Sequence, residues 1–385
     1  MVMVEIVFWV FVFILLYIYF GYLLLLYFIS LFYRRSGVIM DESYEPIVSM
    51  IIAAYNEEAI IGQKIENSLK LDYPEDKLEI IVFSDSSTDR TDEIVKSYVN
   101  KGIKFLRIEG RKGKTYCKNE AVKAATGEIV VFSDANSMYE PEAIRNLVRH
   151  FKDPLVGCVS GELRYINGEG TVVGESIYWR YEQIIKRLES AIGSLTSANG
   201  AIYAMRKNLY EIPTTVIDDF ASSLITIKKG FKVLYEPKAI AWETTAKNPL
   251  GEFHRRVRMV TRATYTLFWV PIFRSLLNPL NYSILAFQLW SHKVLRWLSG
   301  LLLIGLFVLN ALLVGKGWIY DYAMATQIIF YFFVVLGFIF QEVLGKRIPK
   351  LAHTAYYFCL SCIAMLIGFC NGLRGHTLRT WTPSR

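Results

Sequence analysis

The run from Ile6 to Tyr33 contains no charged residue. As a helix it is about 42 Å long, against a hydrocarbon core of ~30 Å, so it reaches across a bilayer with tilt. A cleaved secretory leader has a basic start, a shorter apolar centre and a small-residue cleavage site. Here the start carries Glu5 and the run ends in Arg34-Arg35. Residues 1–35 therefore read as a transmembrane anchor with the arginine pair on the cytoplasmic side.

The other end of the chain is apolar again. Leu298 to Val314, Ala323 to Phe340 and Leu351 to Phe369 are three candidate spans within residues 298–371. The segments Lys293–Arg296 and Gly345–Lys350 are basic and are expected inside. On that count the tail 372–385, with Arg374, Arg379 and Arg385, falls outside, against the positive-inside tendency. One of the three segments is therefore expected to be interfacial. Residues 251–297 mix aromatics with Arg255, Arg256, Arg258, Arg262, Arg274, Lys293 and Arg296, too much charge to span. Amphipathic helices at the inner membrane face, in contact with lipid, fit better. Charged residues make up 20% of the chain, below the ~25% of soluble domains, which fits this membrane-rich reading. The net charge of +8 is then carried by basic loops, and no nucleic-acid partner is expected. Cys359 and Cys362 form a CxxC inside an apolar run and read as buried thiols rather than a metal site. Nothing indicates an oligomer.

Between these ends, residues 41–250 alternate strands and helices. The expected strands are Ile47–Ala54, Leu78–Phe83, Lys104–Ile108 and Glu128–Phe132. The expected helices are Glu57–Lys70, a helix capped at Ser87-Thr88-Asp89, and Lys114–Thr126 closed by Gly127. The alternation predicts an α/β domain with a mainly parallel, Rossmann-like sheet, whose ligands bind at the carboxyl ends of the strands. Those ends are polar. The first gives Ala54-Tyr55-Asn56-Glu57, the second Ser84-Asp85-Ser86-Ser87-Thr88-Asp89, the fourth Ser133-Asp134-Ala135-Asn136. None carries a GxGxxG or GxxxxGK[ST], which argues against a dinucleotide oxidoreductase or a P-loop ATPase. Arg111-Lys112-Gly113-Lys114 adds positive charge before a helix, a place for phosphate. Carboxylates and bases together point to a metal–diphosphate ligand.

From Pro46 onward the chain resembles the membrane-embedded, GT-A fold family 2 glycosyltransferases, the group of hyaluronan, chitin, cellulose and poly-N-acetylglucosamine synthases. Ala54-Tyr55-Asn56-Glu57, Asp85, and Gly113-Lys114 with Asn119 carry the resemblance. So do Asp134-Ala135-Asn136, Asn199-Gly200-Ala201-Ile202-Tyr203-Ala204, Ile217-Asp218-Asp219 and Arg255-Arg256-Val257-Arg258, in family order. The resemblance implies an inverting enzyme that takes a UDP-sugar at the cytoplasmic face of the cell membrane and extends a polysaccharide. The alternative is a single transfer to a lipid acceptor.

The same resemblance implies roles. Ala54, Tyr55, Glu57, Asp85, Lys114, Asp134 and Arg255 bind the donor, with Asp85 at the uracil or ribose. Asp134 and Asn136 hold Mg2+ or Mn2+, Asn136 standing where the family usually has a second Asp. Asp219 is the general base that takes the acceptor proton, with Asp218 at the preceding Glu position; either could also cap the helix Phe220–Lys229. Arg258 holds the diphosphate as charge builds on it. Asn199, Gly200, Asp218 and Trp381 meet the acceptor. Met259 stands where the family has Trp, so a sugar-stacking platform would have to come from Trp242, Trp269 or Trp381.

Overall fold

The computed structural model describes residues 1–32, 39–166, 177–244, 249–346 and 349–377. The chain forms two compact units. One comprises Met1–Leu25, Pro249–Thr264 and Gln288–His376; the other comprises Leu26–Asn248, Tyr265–Phe287 and Thr377–Arg385.

The second unit is built on an eight-stranded sheet: β1 Val48–Ala54, β2 Leu78–Asp85, β3 Ile103–Ile108, β4 Ile129–Asp134, β5 Met138–Tyr139, β6 Val156–Ile166, β7 Ile202–Arg206 and β8 Lys232–Thr244. The order is β3-β2-β1-β4-β7-β6-β8-β5. Every residue of β1 is buried, as expected for a strand covered on both faces in a parallel sheet. The four expected strands pair in parallel, as predicted. Beyond them β7 runs antiparallel to β4 and β6, and β5 antiparallel to β8, so the sheet is mixed rather than uniformly parallel.

Register decides where chemistry can gather. Ala54 pairs with Ser84, and Ala53 with Asp134, so the carboxyl ends of β1, β2 and β4 lie at one level. Because β7 is antiparallel to β4, Ile202 lies opposite Ser133 and the segment entering β7, Asn199-Gly200-Ala201, arrives at the same edge. The helix expected from Glu57 starts at Ile61. The backbone N–H groups of Asn56, Glu57 and Glu58 are taken by Ser87 Oγ, Thr91 Oγ1 and Asp89 Oδ2, which holds this stretch as a turn. Asp89 also accepts the Thr91 N–H at 3.0 Å, and the next helix runs Thr91–Lys96.

Among the described residues, the helices Val2–Phe32, Trp318–Val343 and Lys350–Leu373 are long and apolar enough to cross a membrane. The expected span Leu298–Val314 takes a different form. It is a 15-residue helix, Ser299–Leu313, joined to Ser283–Trp297 at a bend of 57°. Fifteen residues reach only about 22 Å, so this arm crosses only as part of a broken span. Polar contacts tie the anchor to both arms: Tyr17 Oη lies 2.7 Å from Ser291 Oγ on the first, and Tyr19 donates to Ser299 Oγ at 3.1 Å at the start of the second. Glycines let other helices meet backbone to backbone. A Cβ on Gly368 would lie 2.8 Å from the Val257 carbonyl oxygen, and one on Gly372 2.6 Å from that of Thr261. Overpacking of this kind costs about 1–3 kcal/mol. Gly372→Ala is therefore expected to lower the thermal midpoint of the detergent-solubilised protein. An unchanged midpoint would show that this seam is looser than described.

Candidate functional site

Three non-glycine residues among those described adopt left-handed backbone: Asn56 (φ 50°), Ser86 (φ 57°) and Arg111 (φ 47°). They directly follow β1, β2 and the β3 exit, so the strain is concentrated at the carboxyl edge. Side chains hold these turns to each other. Asn56 Oδ1 accepts the Thr88 N–H at 2.8 Å, and Ser86 Oγ accepts the Gly110 N–H at 2.8 Å. The Arg111 guanidinium lies 3.2 Å from the centre of the Tyr55 ring. Beneath it Asp85 is wholly buried. Its carboxylate accepts the Lys112 N–H at 2.7 Å, the Gly113 N–H at 3.1 Å and an Arg111 N–H at 3.1 Å. Asp85 thus anchors the 111–113 loop, while Tyr55 and Arg111 stand above it. Ala54 is buried within β1, and Glu57 is buried in the turn that follows.

Helix Lys114–Ala124 starts where that loop ends. Lys114 and Lys118 lie one turn apart on it and so share a face. Lys114 pairs with Asp134 at the end of β4. Lys118 pairs with Asp218 at the start of helix Asp218–Lys228. Asp218 is buried, also accepts from Tyr203 Oη at 3.4 Å, and faces into the protein. Its neighbour Asp219 is half-buried and turns the other way. An ideal Cβ on Gly200 would lie 2.7 Å from Asp219 Oδ2, so the Asn199-Gly200 turn and Asp219 are in contact. Asn199 shapes that turn by accepting the Ala201 N–H at 3.1 Å. The helix is not capped by either aspartate, since Ile217 occupies the cap position; Asp219 Oδ1 accepts the Phe220 N–H at 2.7 Å instead.

Electrostatics follow from these contacts. Burial, then Asp218, push the Asp219 carboxyl up to about 6, against the pull of Lys118, Lys114 and the Phe220 N–H. Burial alone would lower the Lys114 ammonium, but the Asp134, Asp218 and Asp219 carboxylates outweigh it and hold it above its ordinary value. Behind Asp134, helix Ile61–Leu69 fixes the β4–β5 turn. Lys64 Nζ donates to the Ser137 carbonyl, and Asn67 exchanges two hydrogen bonds with Tyr139.

Asp134 and Asn136 offer a carboxylate and an amide oxygen two residues apart. These are hard donors suited to Mg2+ or Mn2+. Among the described residues no group of three His, Cys, Asp or Glu could hold a metal. A cation here fits only with most of its ligands coming from a phosphate group and water, the usual arrangement for Mg2+. Arg255 and Arg258 lie on helix Pro249–Trp269, where Arg255 bonds to Glu252 at 2.7 Å. Trp381 lies outside the described residues. Sequence reasoning passed over Lys118, and it gave Ser86 and Tyr203 no role beyond their place in the quoted motifs. The signal for Lys118 was its spacing: a lysine four residues after Lys114, beside Cys117 and Ala121 on the buried face.

Residues 49–211 match the sequence profile of Glycosyl transferase family 2. Over those residues the chain is similar to that family. Poly-beta-1,6-N-acetyl-D-glucosamine synthase of Staphylococcus epidermidis strain RP62A is 28% identical over 287 residues, covering 70% of this chain and 69% of the relative. The synthase of the same name from Staphylococcus aureus strain COL is 28% identical over 221 residues, covering 55% of this chain and about half (53%) of the relative. In structure the chain is similar to the mannosyltransferase PcManGT from Pyrobaculum calidifontis, solved with GDP-Man and Mn2+. That likeness has a TM-score of 0.73 at 22% identity and covers 96% of this chain and 99% of the other. It shows the GT-A fold.

The Gly200–Asp219 contact gives a direct test. A methyl at Gly200 must displace the Asp219 carboxylate, and misplacement by ~1 Å can cost about 10^2-fold in rate. Gly200→Ala is expected to lose turnover on that scale while keeping nucleotide affinity. Full turnover would mean that Asp219 is not held where the reaction occurs.

Proposed function

We propose that this chain is an inverting, divalent-cation-dependent glycosyltransferase that takes a UDP-sugar at the cytoplasmic membrane face and extends a polysaccharide. One observation carries the reading. A half-buried carboxylate with raised proton affinity, Asp219, shares a helix-and-strand-end cluster with the Lys114–Asp134 pair. A base beside a diphosphate-binding group is what one-step displacement requires.

In this reading Tyr55 and Arg111 face the nucleotide, and Asp85 holds Arg111 in place. Asp134 and Asn136 hold the cation, which when bound supplies positive charge to the leaving diphosphate. Lys114 keeps a second positive charge beside it. Asp219 accepts the proton of the acceptor hydroxyl. The acceptor oxygen bonds to the anomeric carbon, the bond from that carbon to the β-phosphate oxygen breaks, and the nucleoside diphosphate leaves. Asn199 and Gly200 line the acceptor side of Asp219. The polymer product is supported by the staphylococcal relatives, whose name is that of a polysaccharide synthase. The second reading, one sugar placed on a lipid, is favoured by Met259, an exposed residue at the position where the resemblance calls for Trp.

The test is a donor panel of UDP- and GDP-sugars on the purified protein, with product length read by mass spectrometry. Transfer is expected with a UDP-sugar, lost in EDTA and restored by Mg2+ or Mn2+. Long products support the polymer reading, and a single added sugar at every donor concentration replaces it with the lipid reading. Asp219→Asn is expected to lose turnover by about 10^2–10^4-fold while retaining nucleotide binding. Because the Asp219 carboxyl is raised to about 6, it is protonated below that pH and cannot accept a proton. Turnover is therefore expected to rise with pH through about 6 and then level off. A flat profile from pH 5 to 8 would remove Asp219 from the role of base.

A further inference from the structure

Lys118 is 0% exposed, as deeply buried as any residue in the sheet core. Its ammonium pairs with Asp218 and lies 4.9 Å from the centre of the Phe132 ring and 5.3 Å from that of Tyr203. Phe132 and Tyr203 stack at 4.7 Å, and Phe132 and Tyr210 at 5.0 Å. The ion pair is thus enclosed by aromatic rings. Burying two charges is expensive, and apolar residues of the same size often serve stability as well or better. Stability alone therefore gives no reason for this pair.

Its position does. Among the described residues, the charged groups at this end of the sheet include the ammonium groups of Lys114 and Lys118 and the carboxylates of Asp134, Asp218 and Asp219, with Lys64 acting on Asp134 from behind. Lys114 is matched by Asp134 and Lys118 by Asp218. Among the described residues Asp219 has no ion-pair partner. The groups that act on it are Asp218 beside it, Lys118 and Lys114 from helix Lys114–Ala124, and the Phe220 N–H. Tyr203 from β7 and Tyr210 from the following turn also face it; burial, then the aspartates, hold both phenols well above their ordinary value, so they stay neutral.

We infer that Lys118 is a positioning residue for the transfer reaction. By pairing with Asp218, it screens Asp219 from its neighbour's negative charge and leaves Asp219 able to take one proton from the acceptor hydroxyl. This rests on the reading of Asp219 as base. Lys118 does not touch the substrate; it acts through Asp218 and the field at Asp219.

The two halves of the pair push Asp219 in opposite directions, and the experiment uses that. The full-length protein in detergent is assayed for kcat across pH 5 to 9, with nucleotide binding by calorimetry as a check on folding. Lys118→Met leaves Asp218 uncompensated, so the acid limb of the profile is expected to move up by on the order of 1 pH unit. At a pH below the limb, kcat is then about tenfold lower than in wild type. Asp218→Asn is expected to move the limb down. Lys118→Arg keeps the charge and is expected to keep the wild-type limb. If the limb stays in place in both Lys118→Met and Asp218→Asn, the pair is only packing and the inference fails. If Lys118→Met no longer binds nucleotide, Asp218→Asn decides alone: a downward shift supports the inference and an unmoved limb overturns it. Failure of the base reading is separate, since it would appear as retained turnover in Asp219→Asn.

Discussion

A carboxylate sealed from water at the end of β2 sets out the chemistry of this protein. Burying Asp85 without partners would be prohibitive, and three of its donors come from the loop 111–113. The carboxylate therefore dictates the path of that loop, and with it the point where helix Lys114–Ala124 begins. Because an α-helix places side chains four residues apart on one face, the first lysine of that helix reaches the end of β4. The second, one turn later, reaches Asp218. The same anchor holds Arg111 against Tyr55. One buried charge thus fixes the Tyr55–Arg111 stack and two ion pairs.

The parallel half of the sheet was legible because its strands are short apolar runs that each end in polar residues. That pattern has few other physical readings. The Asp134-Ala135-Asn136 turn was legible for the same reason. The antiparallel half was not. In β6 (VGCVSGELRYI), Gly and Ser interrupt the apolar run, and nothing local shows that β7 will return beside β4. Lys118 was missed because its partner is 100 residues away in sequence. A lysine on a helix normally reads as solvent-facing until the fold supplies a buried acid. The choice between Asp218 and Asp219 was a matter of about 100° of helix rotation. The side facing Gly200 is set by β7, which the local sequence does not reveal.

The membrane unit shows the same division. Length and hydropathy were enough to find Val2–Phe32, Trp318–Val343 and Lys350–Leu373. They could not show that the helix ending at Trp297 and the one starting at Ser299 bend by 57°. Nor does composition show which glycines matter. Gly368 and Gly372 count because backbone from helix Pro249–Trp269 lies against them, a packing fact that no hydropathy average contains.

The left-handed turns at Asn56, Ser86 and Arg111 carry an energetic consequence. Each costs on the order of 1 kcal/mol in a side-chain-bearing residue, and together they take a sizeable share of the few kcal/mol that keep a domain folded. Glycine at any of the three would release that strain in a single mutational step. Glycine would also forfeit what these side chains hold: Asn56 and Ser86 each accept a backbone N–H, and Arg111 pairs with Asp85. Strain and contacts are therefore set against each other at this edge, and the three turns stand or fall together rather than one by one.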